Sequence, residues 1–257
     1  MKILVIGDSC NDIYKYGICD RLDQEAPVPI FKELNEENFQ GMSLNVANNV
    51  ASFGINCDLI TNKLEIKKIR YVDSRSNQLV MRVDENDSVK RIKNLKNINF
   101  MHYNAVIVSD YNKGFLHEQD MSYISNNSKL SFLQTSKVLS EWCSGFNYIK
   151  INNYEYSNTS QFTSKEFLNK INLIITKGEK GVTYKNKDFP ISKPVMVRSL
   201  AGAGDTFLSA LVVKFIQTND ITRSIKFAQN SSKKAVSQLG ISVVGDFKNK
   251  KPRIIKN

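Results

Sequence analysis

The stretch "SLAGAGDTF", Ser199 to Phe207, places two glycines and one carboxylate between apolar residues. The segment after it has apolar side chains at the spacing of an amphipathic helix: Leu208, Leu211, Val212, Phe215 and Ile216. Backbone N–H groups at a helix N-terminus lack intrahelical partners and lie at the positive end of the dipole. The stretch therefore predicts an anion site. An ordinary turn with an acid in the first helical turn explains it equally well, so the stretch alone does not decide.

The elements that must position this stretch alternate between buried strands and helices. Short apolar runs predict strands in "KILVIGD", "CDLIT", "NAVIVSD", "LSFLQT", "NYIKIN" and "NLIITKG". "SLNVANNVASFG" predicts a helix that stops at Gly54, and "TRSIKFAQNSSKKAVSQLG" predicts a late helix with Leu239 on its buried face. This alternation is typical of an α/β fold with a mostly parallel sheet, covered by helices on both faces.

Two further segments predict extended structure outside that sheet. "APVPIFKEL" reads as an edge strand, because its two prolines cannot donate to a central ladder. "IRYVDSRSNQLVMRVD" predicts two strands with a turn near residues 74–76.

Polar residues and glycines follow several of the predicted sheet strands. In parallel α/β sheets, ligands bind beyond the carboxyl ends of the strands. The residues at these ends are Asp8, Asp110, Asn152, Gly178 and Gly202. A ligand site is therefore expected at this edge.

The composition is that of an ordinary globular protein, and we expect a single domain over residues 1–257. The net charge of +11 favours anionic partners, but the lysines are dispersed and accompany no nucleic-acid motif, so we expect no nucleic-acid partner. Four cysteines lack metal-ligand spacing. No apolar run is long enough to span a membrane and "MKILVIGDS" is unlike a signal peptide, so we expect a cytoplasmic protein without a membrane partner.

Several motifs occur in one order: "GD…ND", "GMSLNVANNVASFG", "SDYNKG", "NNYE", "TKGEKGVTY" and "AGAGDTF". In this combination the chain resembles the ribokinase-like (PfkB) carbohydrate kinases, from Lys2 to about Val244. Its segments "GDSCNDIYKYGICDRLDQEAPVPIF" and "KIRYVDSRSNQLVMRVD" resemble the bacterial D-glycero-D-manno-heptose 7-phosphate kinases. The resemblance implies a three-layer α/β/α sandwich with a small β lid, built from about residues 13–34 and 68–84, that pairs in a homodimer.

The implied activity is ATP-dependent transfer of a phosphoryl group to a sugar hydroxyl, on a heptose 7-phosphate or a related sugar phosphate. Such a product would serve as a precursor of lipopolysaccharide or capsule. Asp205 matches the general base, and the N–H groups of Gly202, Ala203 and Gly204 match an anion hole for the γ-phosphate. Phosphoryl transfer needs positioning and positive potential more than covalent chemistry, and a glycine-rich helix N-terminus supplies both.

The resemblance assigns the remaining site residues in three groups. The positions that match sugar contacts are Asp8, Asp12, Gly41, Asn45 and Asp110. The lid positions that could meet a sugar phosphate are Lys68, Arg70, Gln78 and Arg82. The positions that match the nucleotide site are Asn152, Glu155, Thr176, Lys177, Gly178 and Asn230, and the first two also match a motif that positions Mg²⁺ through water. Purely structural roles stay open as alternatives to ligand binding: Asn45 could be a helix N-cap, and Asn152 and Glu155 could be turn residues.

The sequence departs from the family pattern at three places. Met42 replaces a glycine, so its side chain is expected to crowd the backbone that meets the sugar. Ser199 and Ala201 replace an Asp and a Thr that hold a monovalent cation in many members, which puts K⁺ activation in doubt. A family segment is missing between "LITN" and "KLEIKKIRY", so the sheet must lose an edge portion or be covered by another subunit.

These departures leave open a non-catalytic relative that binds sugar or nucleotide as a partner or sensor. The net charge of +11 leaves a basic nucleic-acid binder as a third alternative. We also expect no nucleotidyltransferase domain of the kind fused to some heptose kinases.

Overall fold

The structure is a computed structural model and describes residues 1–238 and 240–255. Its strands, in chain order, are β1 (Lys2–Gly7), β2 (Ser9–Leu22), β3 (Pro29–Met42), β4 (Asn56–Ile60), β5 (Ile66–Asp73), β6 (Gln78–Glu85), β7 (Ala105–Asp110), β8 (Ser131–Thr135), β9 (Tyr148–Asn152), β10 (Leu173–Thr176), β11 (Val182–Tyr184), β12 (Lys187–Phe189) and β13 (Arg253–Ile254). Its α-helices are α1 (Ser43–Ser52), α2 (Glu118–Asn126), α3 (Asn153–Phe162), α4 (Lys165–Lys170), α5 (Ala203–Thr218) and α6 (Ile221–Val236).

The large sheet has nine strands in the order β12-β11-β10-β9-β8-β7-β1-β4-β13. The neighbouring strands from β10 across to β13 all pair in parallel, and β11 alone runs antiparallel, to both β10 and β12. The predicted α/β class with a mostly parallel sheet is therefore confirmed. Every run predicted as a strand of this sheet forms one.

Helices cover both faces of the large sheet, because its central strands are apolar on both sides. Ile3 and Val5 of β1 belong to the cluster that includes residues of α1, α5 and α6. Leu4 and Ile6 belong to the opposite cluster, with residues of α2 and α4. Successive strand side chains point to opposite faces, so one short run supports both layers.

A second sheet of four strands, in the order β3-β2-β5-β6, forms the lid. Its strands come from two insertions: β2 and β3 lie between β1 and α1, and β5 and β6 lie between β4 and β7. β3 begins at Pro29 and is an edge strand, as its prolines predict. The lid strands are longer than the segments expected from the sequence. The extent of a single domain over residues 1–257 stays a prediction.

The sheet edge beside β4, where the family segment is missing, is covered by the chain itself. β13 pairs with β4 in parallel, with Arg253 opposite Asp58. The Asp58 carboxylate accepts hydrogen bonds from Arg253 at 2.9 and 2.7 Å and from the Tyr103 hydroxyl at 2.9 Å, and it pairs with Lys2 at 2.8 Å. Burial alone would raise the pKa of Asp58, but these donors outweigh it and lower the pKa to about 2.

The late helix is α6, which confirms the helical prediction, whereas Leu239 lies outside the described residues. Within residues 1–238 and 240–255, no helix combines the length and the apolar character needed to cross a bilayer.

Candidate active site

The start of α5 lies at the carboxyl edge of the large sheet. Gly202 is the N-cap with φ +75°, a left-handed conformation that favours glycine. A Cβ there would also stand 2.6 Å from Nδ2 of Asn45, so glycine makes room for that side chain. The N–H of Ala203 donates to the Leu200 carbonyl at 3.3 Å. Within the part of the chain that the structure describes, the N–H groups of Gly202 and Gly204 have no protein acceptor and can meet an anion.

Asp205 is only 4% exposed, and its carboxylate is held by three side-chain donors. Asn45 donates to Oδ2 at 3.0 Å. The Tyr111 hydroxyl donates to Oδ1, and Gln134 Nε2 donates to the same oxygen at 3.2 Å. A carboxylate has about four acceptor positions, so this arrangement leaves one, on Oδ2, for a further donor.

Lys150 and Gln134 lie side by side beneath the first turn of α5. They are register partners on β9 and β8, and Lys150 Nζ donates to Gln134 Oε1 at 2.8 Å. Two residues earlier on the same strands, Tyr148 and Phe132 stack and both pack against Phe215 of α5. Side chains two residues apart on a strand point to the same face, so both pairs lie under α5. The aromatic pair supports the middle of the helix, and the polar pair lies under its N-terminus.

Burial shifts the pKa values of three groups in this network. It raises the pKa of Asp205, although the Tyr111, Asn45 and Gln134 hydrogen bonds and the charge of Lys150 oppose it. Burial, then the Asp205 charge, raises the pKa of Tyr111 well above its usual value, so the hydroxyl stays a donor. Burial lowers the pKa of Lys150, against the charges of Glu155 and Asp205. A carboxylate with raised pKa beside a helix N-terminus suits a general base.

Residues 45–244 match the family described as pfkB family carbohydrate kinase, which is most of the chain. The chain belongs to the pfkB family of carbohydrate kinases. Two curated relatives, both described as bifunctional protein HldE, come from Helicobacter acinonychis and from a Nitratiruptor species. They are 26% identical over 300 residues and 27% identical over 288 residues. Both matches cover 93% of this chain but only 63% and 62% of the relatives, so the chain spans about three fifths of their length.

Solved structures of the same fold include a ribokinase from Thermotoga maritima, with a TM-score of 0.73 and 17% identity. That match covers 98% of this chain and 96% of the ribokinase. Phosphofructokinase-2 from Escherichia coli gives a TM-score of 0.72 at 12% identity, with 96% of each chain covered. At these identities the likeness shows the fold alone, and it confirms the ribokinase-like α/β architecture.

The pfkB resemblance places Asp8 and Asp110 in the sugar site, but both carboxylates are fully buried and occupied in this structure. Asp8 accepts hydrogen bonds from the backbone N–H groups of Tyr111, Lys113 and Phe115 at 2.8, 3.4 and 3.3 Å. It thereby holds the loop after β7, which carries Tyr111. These bonds use three of the about four acceptor positions of the carboxylate, so the one that is left, on Oδ1, belongs to a fully buried side chain.

The carboxylate of Asp110, the last residue of β7, is likewise bonded to other residues of the protein. Both of its oxygens pair with Lys137 Nζ, at 2.9 and 2.8 Å, and one accepts from the Thr135 hydroxyl at 2.6 Å. Desolvation and then the Asp110 charge raise the pKa of Asp8. Their positions at strand ends correctly predicted that both acids lie at the carboxyl edge of the sheet. These positions did not predict that both carboxylates are buried against the protein.

Asp12 and Arg70 form an ion pair at 2.8 Å on the face of the lid strands β2 and β5. Lys68 is the register partner of Asp12, and Arg70 is opposite Arg82 on β6. Burial raises the pKa of Asp12, and the three cations oppose that shift in the order Arg70, Lys68 and Arg82. The lid therefore gathers three of its four predicted basic and polar positions around one carboxylate.

Gln78 is separate from this cluster. It pairs with Asp73 at the turn end of the β5–β6 hairpin, five residues along β5 from Lys68. At about 3.3 Å per residue, that is roughly 17 Å. The structure does not bring Gln78 together with the other predicted lid residues.

Gly41 faces Cys10 across β2 and β3, and a Cβ at this position would stand 2.7 Å from Cys10 Sγ. The Met42 side chain was expected to crowd the backbone on the sugar side, but it packs into the core instead. Its side chain is 4% exposed and belongs to the core cluster with Cys10, Ile60 and Ile66. Its backbone keeps φ 58°, the left-handed conformation in which glycine is favoured.

Asn152 and Glu155 form a capping box at the start of α3. Asn152 Oδ1 accepts from the Glu155 N–H at 2.9 Å, and Glu155 Oε2 accepts from the Asn152 N–H at 2.7 Å. Glu155 Oε1 has only a 3.4 Å contact with the Ser136 hydroxyl and retains acceptor capacity. No group of three or more metal-ligating side chains occurs in residues 1–238 and 240–255. The remaining acceptor capacity of Glu155 Oε1 could support a Mg²⁺ ion.

The predicted nucleotide positions lie on separate elements. Thr176 ends β10, and Lys177 pairs with Asp188 at 3.7 Å. Gly178 has φ +57° and open space at its Cβ position, while Asn230 lies exposed on α6. At the start of the glycine-rich loop, Ser199 Oγ accepts a hydrogen bond from the Ala201 N–H at 3.2 Å. The prediction that these two replacements weaken K⁺ activation stays a prediction.

The sequence reasoning missed Tyr111, Gln134 and Lys150. Tyr111 sits inside a quoted motif, "SDYNKG", yet was given no role. Lys150 carried a usable signal, because a lysine between isoleucines in a buried strand is rare without a function or a partner.

Proposed function

We propose that the protein is an ATP-dependent sugar kinase with Asp205 as its general base. The observation that supports this proposal most strongly is the buried Asp205 carboxylate at the N-terminus of α5, which has one acceptor position left on Oδ2. The other donors hold the carboxylate in place, so a sugar hydroxyl can take that position without rearranging it.

The reaction follows from this geometry. The sugar hydroxyl donates its proton to Asp205 Oδ2 while its oxygen forms a bond to the γ-phosphorus of ATP. The bond from that phosphorus to the bridging oxygen breaks, and ADP leaves with that bond's electron pair. The N–H groups of Gly202 and Gly204 receive charge on the transferring phosphoryl oxygens.

Glu155 would hold a Mg²⁺ ion through Oε1, as its remaining acceptor capacity allows. The ion would supply positive charge that offsets the negative charge of the nucleotide phosphates. Thr176, Lys177 and Gly178 border the nucleotide on the neighbouring strand end, and Asn230 does so from α6.

We propose a heptose 7-phosphate or a related sugar phosphate as the acceptor. The HldE relatives support this substrate class, and so does the basic lid cluster of Lys68, Arg70 and Arg82. Asp12 pairs with Arg70 and Asp84 pairs with Arg82, so Lys68 leaves the cluster with one positive charge in excess. That excess suits a phosphate on the far end of the sugar.

The test is ADP release from ATP and Mg²⁺ with D-glycero-D-manno-heptose 7-phosphate, unphosphorylated heptose, ribose and fructose 6-phosphate. Transfer is expected, with the heptose phosphate preferred. Asp205→Asn should lower kcat by about 10²–10⁴. Glu166→Gln, an exposed acid on α4, is the matched control and should leave the rate unchanged. No transfer by folded protein would refute the kinase function, and an active Asp205→Asn would refute the base.

We also propose that the protein is a homodimer that pairs through the lid sheet. β3 and β6 are open edges, and apolar side chains on them are exposed: Leu34 at 57%, Leu79 at 56% and Met81 at 52%. Open edges with apolar side chains are commonly covered by another chain. Sedimentation at micromolar concentration should show a dimer, and a pure monomer would contradict this proposal.

A further inference from the structure

Lys150 is the one residue of the Asp205 network to which neither the resemblance nor the proposed mechanism gives a role. Its side chain comes from the middle of β9 and is 4% exposed. Its Nζ lies 2.9 Å from the position that a Cβ on Gly204 would occupy. The amine therefore lies directly against the first turn of α5.

An ammonium in that place is unfavourable without a further ligand. Lysine has three donors, and one of them is satisfied, by the neutral Gln134 amide oxygen at 2.8 Å. No ion pair of Lys150 occurs among residues 1–238 and 240–255. Burying a charge without a counter-charge is costly, and the positive end of α5 adds repulsion. An anion that fits between Lys150 and α5 would relieve all three costs.

Gln134 bridges Lys150 and Asp205, so the two charged groups are joined through an amide instead of a direct ion pair. Its Nε2 donates to Asp205 Oδ1 and its Oε1 accepts from Lys150, so both ends of the amide are used and its orientation is fixed. The lysine and the carboxylate lie on either side of this amide. The ammonium thus stays available to a ligand, while Asp205 keeps its free acceptor position.

We propose that Lys150 is a second catalytic residue, whose ammonium contacts an oxygen of the phosphoryl group that the Gly202 and Gly204 N–H groups receive. This inference rests on the proposed kinase function. Lys150 takes no proton and forms no covalent bond. It adds a fixed positive charge where negative charge is distributed in the transition state. Gln134 is a positioning residue for both.

The test compares Lys150→Met with wild type for ADP release with the best sugar phosphate. Methionine keeps the straight side-chain shape, so the fold should persist, as a thermal melt would show. We expect kcat/KM to fall by about 10²–10³. Lys150→Arg should recover part of that loss. Lys170→Met, an exposed lysine on α4, is the control and should match wild type.

If folded Lys150→Met keeps kcat/KM within about threefold of wild type, the proposal is overturned. Should Lys150→Met not fold, Lys150→Gln replaces it under the same criterion, since a second amide can still bond Gln134. Calorimetric titration with ATP and ADP, without sugar, separates this proposal from the kinase function. If wild type phosphorylates no sugar, loss of a preference for ATP over ADP in the variant still supports the Lys150 contact. An unchanged ATP-to-ADP ratio then overturns it.

Discussion

Gly204→Ala should change the stability of the fold very little and should remove most of the kinase activity. Gly204 is the second residue of α5 and does not adopt a left-handed φ. Alanine therefore fits the backbone, and a helix interior favours it over glycine by up to about 1 kcal/mol. The one tight neighbour of the new Cβ is Lys150 Nζ at 2.9 Å, with Gln134 Oε1 next at 4.0 Å.

The cost of that contact follows from what has to move. Ordinary carbon contacts are about 3.5–4.0 Å, so Nζ must withdraw by roughly 0.5–1 Å. Nζ is the end of a flexible side chain, and the movement strains its 2.8 Å hydrogen bond to Gln134, worth about 1 kcal/mol. Helix gain and hydrogen-bond loss nearly cancel. The melting temperature should change by no more than about 2–4 °C.

Activity should respond much more strongly. A misplacement of about 1 Å in a catalytic group can cost about 10² in rate, and the methyl group also narrows the approach to the Gly204 N–H. We therefore expect a loss of at least about 10² in kcat/KM, measured by ADP release, in a protein with an unchanged circular dichroism spectrum.

Gly202→Ala is the matched comparison, because it adds the same methyl group two residues earlier. There φ is +75° and the Cβ would meet Asn45 Nδ2 at 2.6 Å, so stability should fall by about 1–2 kcal/mol or more. The reasoning fails if Gly204→Ala retains wild-type kcat/KM, or if it destabilises the protein as much as Gly202→Ala does.

Three further predictions concern protons and charges. Tyr111→Phe removes a hydrogen bond that lowers the pKa of Asp205, so that pKa should rise and the acid limb of the kcat/KM profile should move to higher pH; an unmoved limb would exclude Tyr111 as a modulator of the base. Asp58, with its pKa lowered to about 2, should stabilise the fold above its unfolded pKa of about 3.9 and lose that contribution as pH falls towards 2. Asp58→Asn should therefore flatten the acid-unfolding profile between these values, and an unaltered profile would contradict the linkage. Arg253→Met leaves Asp58 with its Lys2 and Tyr103 partners and should destabilise the protein less than Asp58→Asn, as chemical denaturation would measure; the reverse order would show that the β13 contact dominates the cluster.

Periodicity and local chemistry were sufficient for much of the fold. The apolar runs around Val5 and Ile107 predict buried strands because their length and composition leave few other structures. Pro27, just before β3, and Pro29, its first residue, predict an edge position because they cannot donate to a neighbouring strand. Helices such as α3 were not predicted, since "NYEYSNTSQF" has little apolar periodicity and starts through its capping box.

The sequence also indicated the family and the position of Asp205 in the first turn of α5, because both depend on residues close together in the chain. The contacts of strand-end acids were not predictable in the same way. Asp8 binds backbone groups more than 100 residues away, and Asp110 pairs with Lys137 after the next strand. Whether such a carboxylate faces a ligand or the protein depends on how the loops fold over it.

The Asp205 network shows most clearly what the tertiary structure alone decided. Asp205, Asn45, Tyr111, Gln134 and Lys150 come from five separate segments. Tyr111 and Gln134 do not stand out within their own segments, and Lys150 does so only as a lysine in an apolar strand. They meet because parallel strands bring their carboxyl ends to one edge in a register that places Gln134 beside Lys150. The sequence determined that a glycine-rich helix start would carry one acid. Only the packing of β8, β9 and α5 decided that its glycines also make room for an asparagine and a buried lysine, since side-chain contact across strands depends on register and not on spacing along the chain.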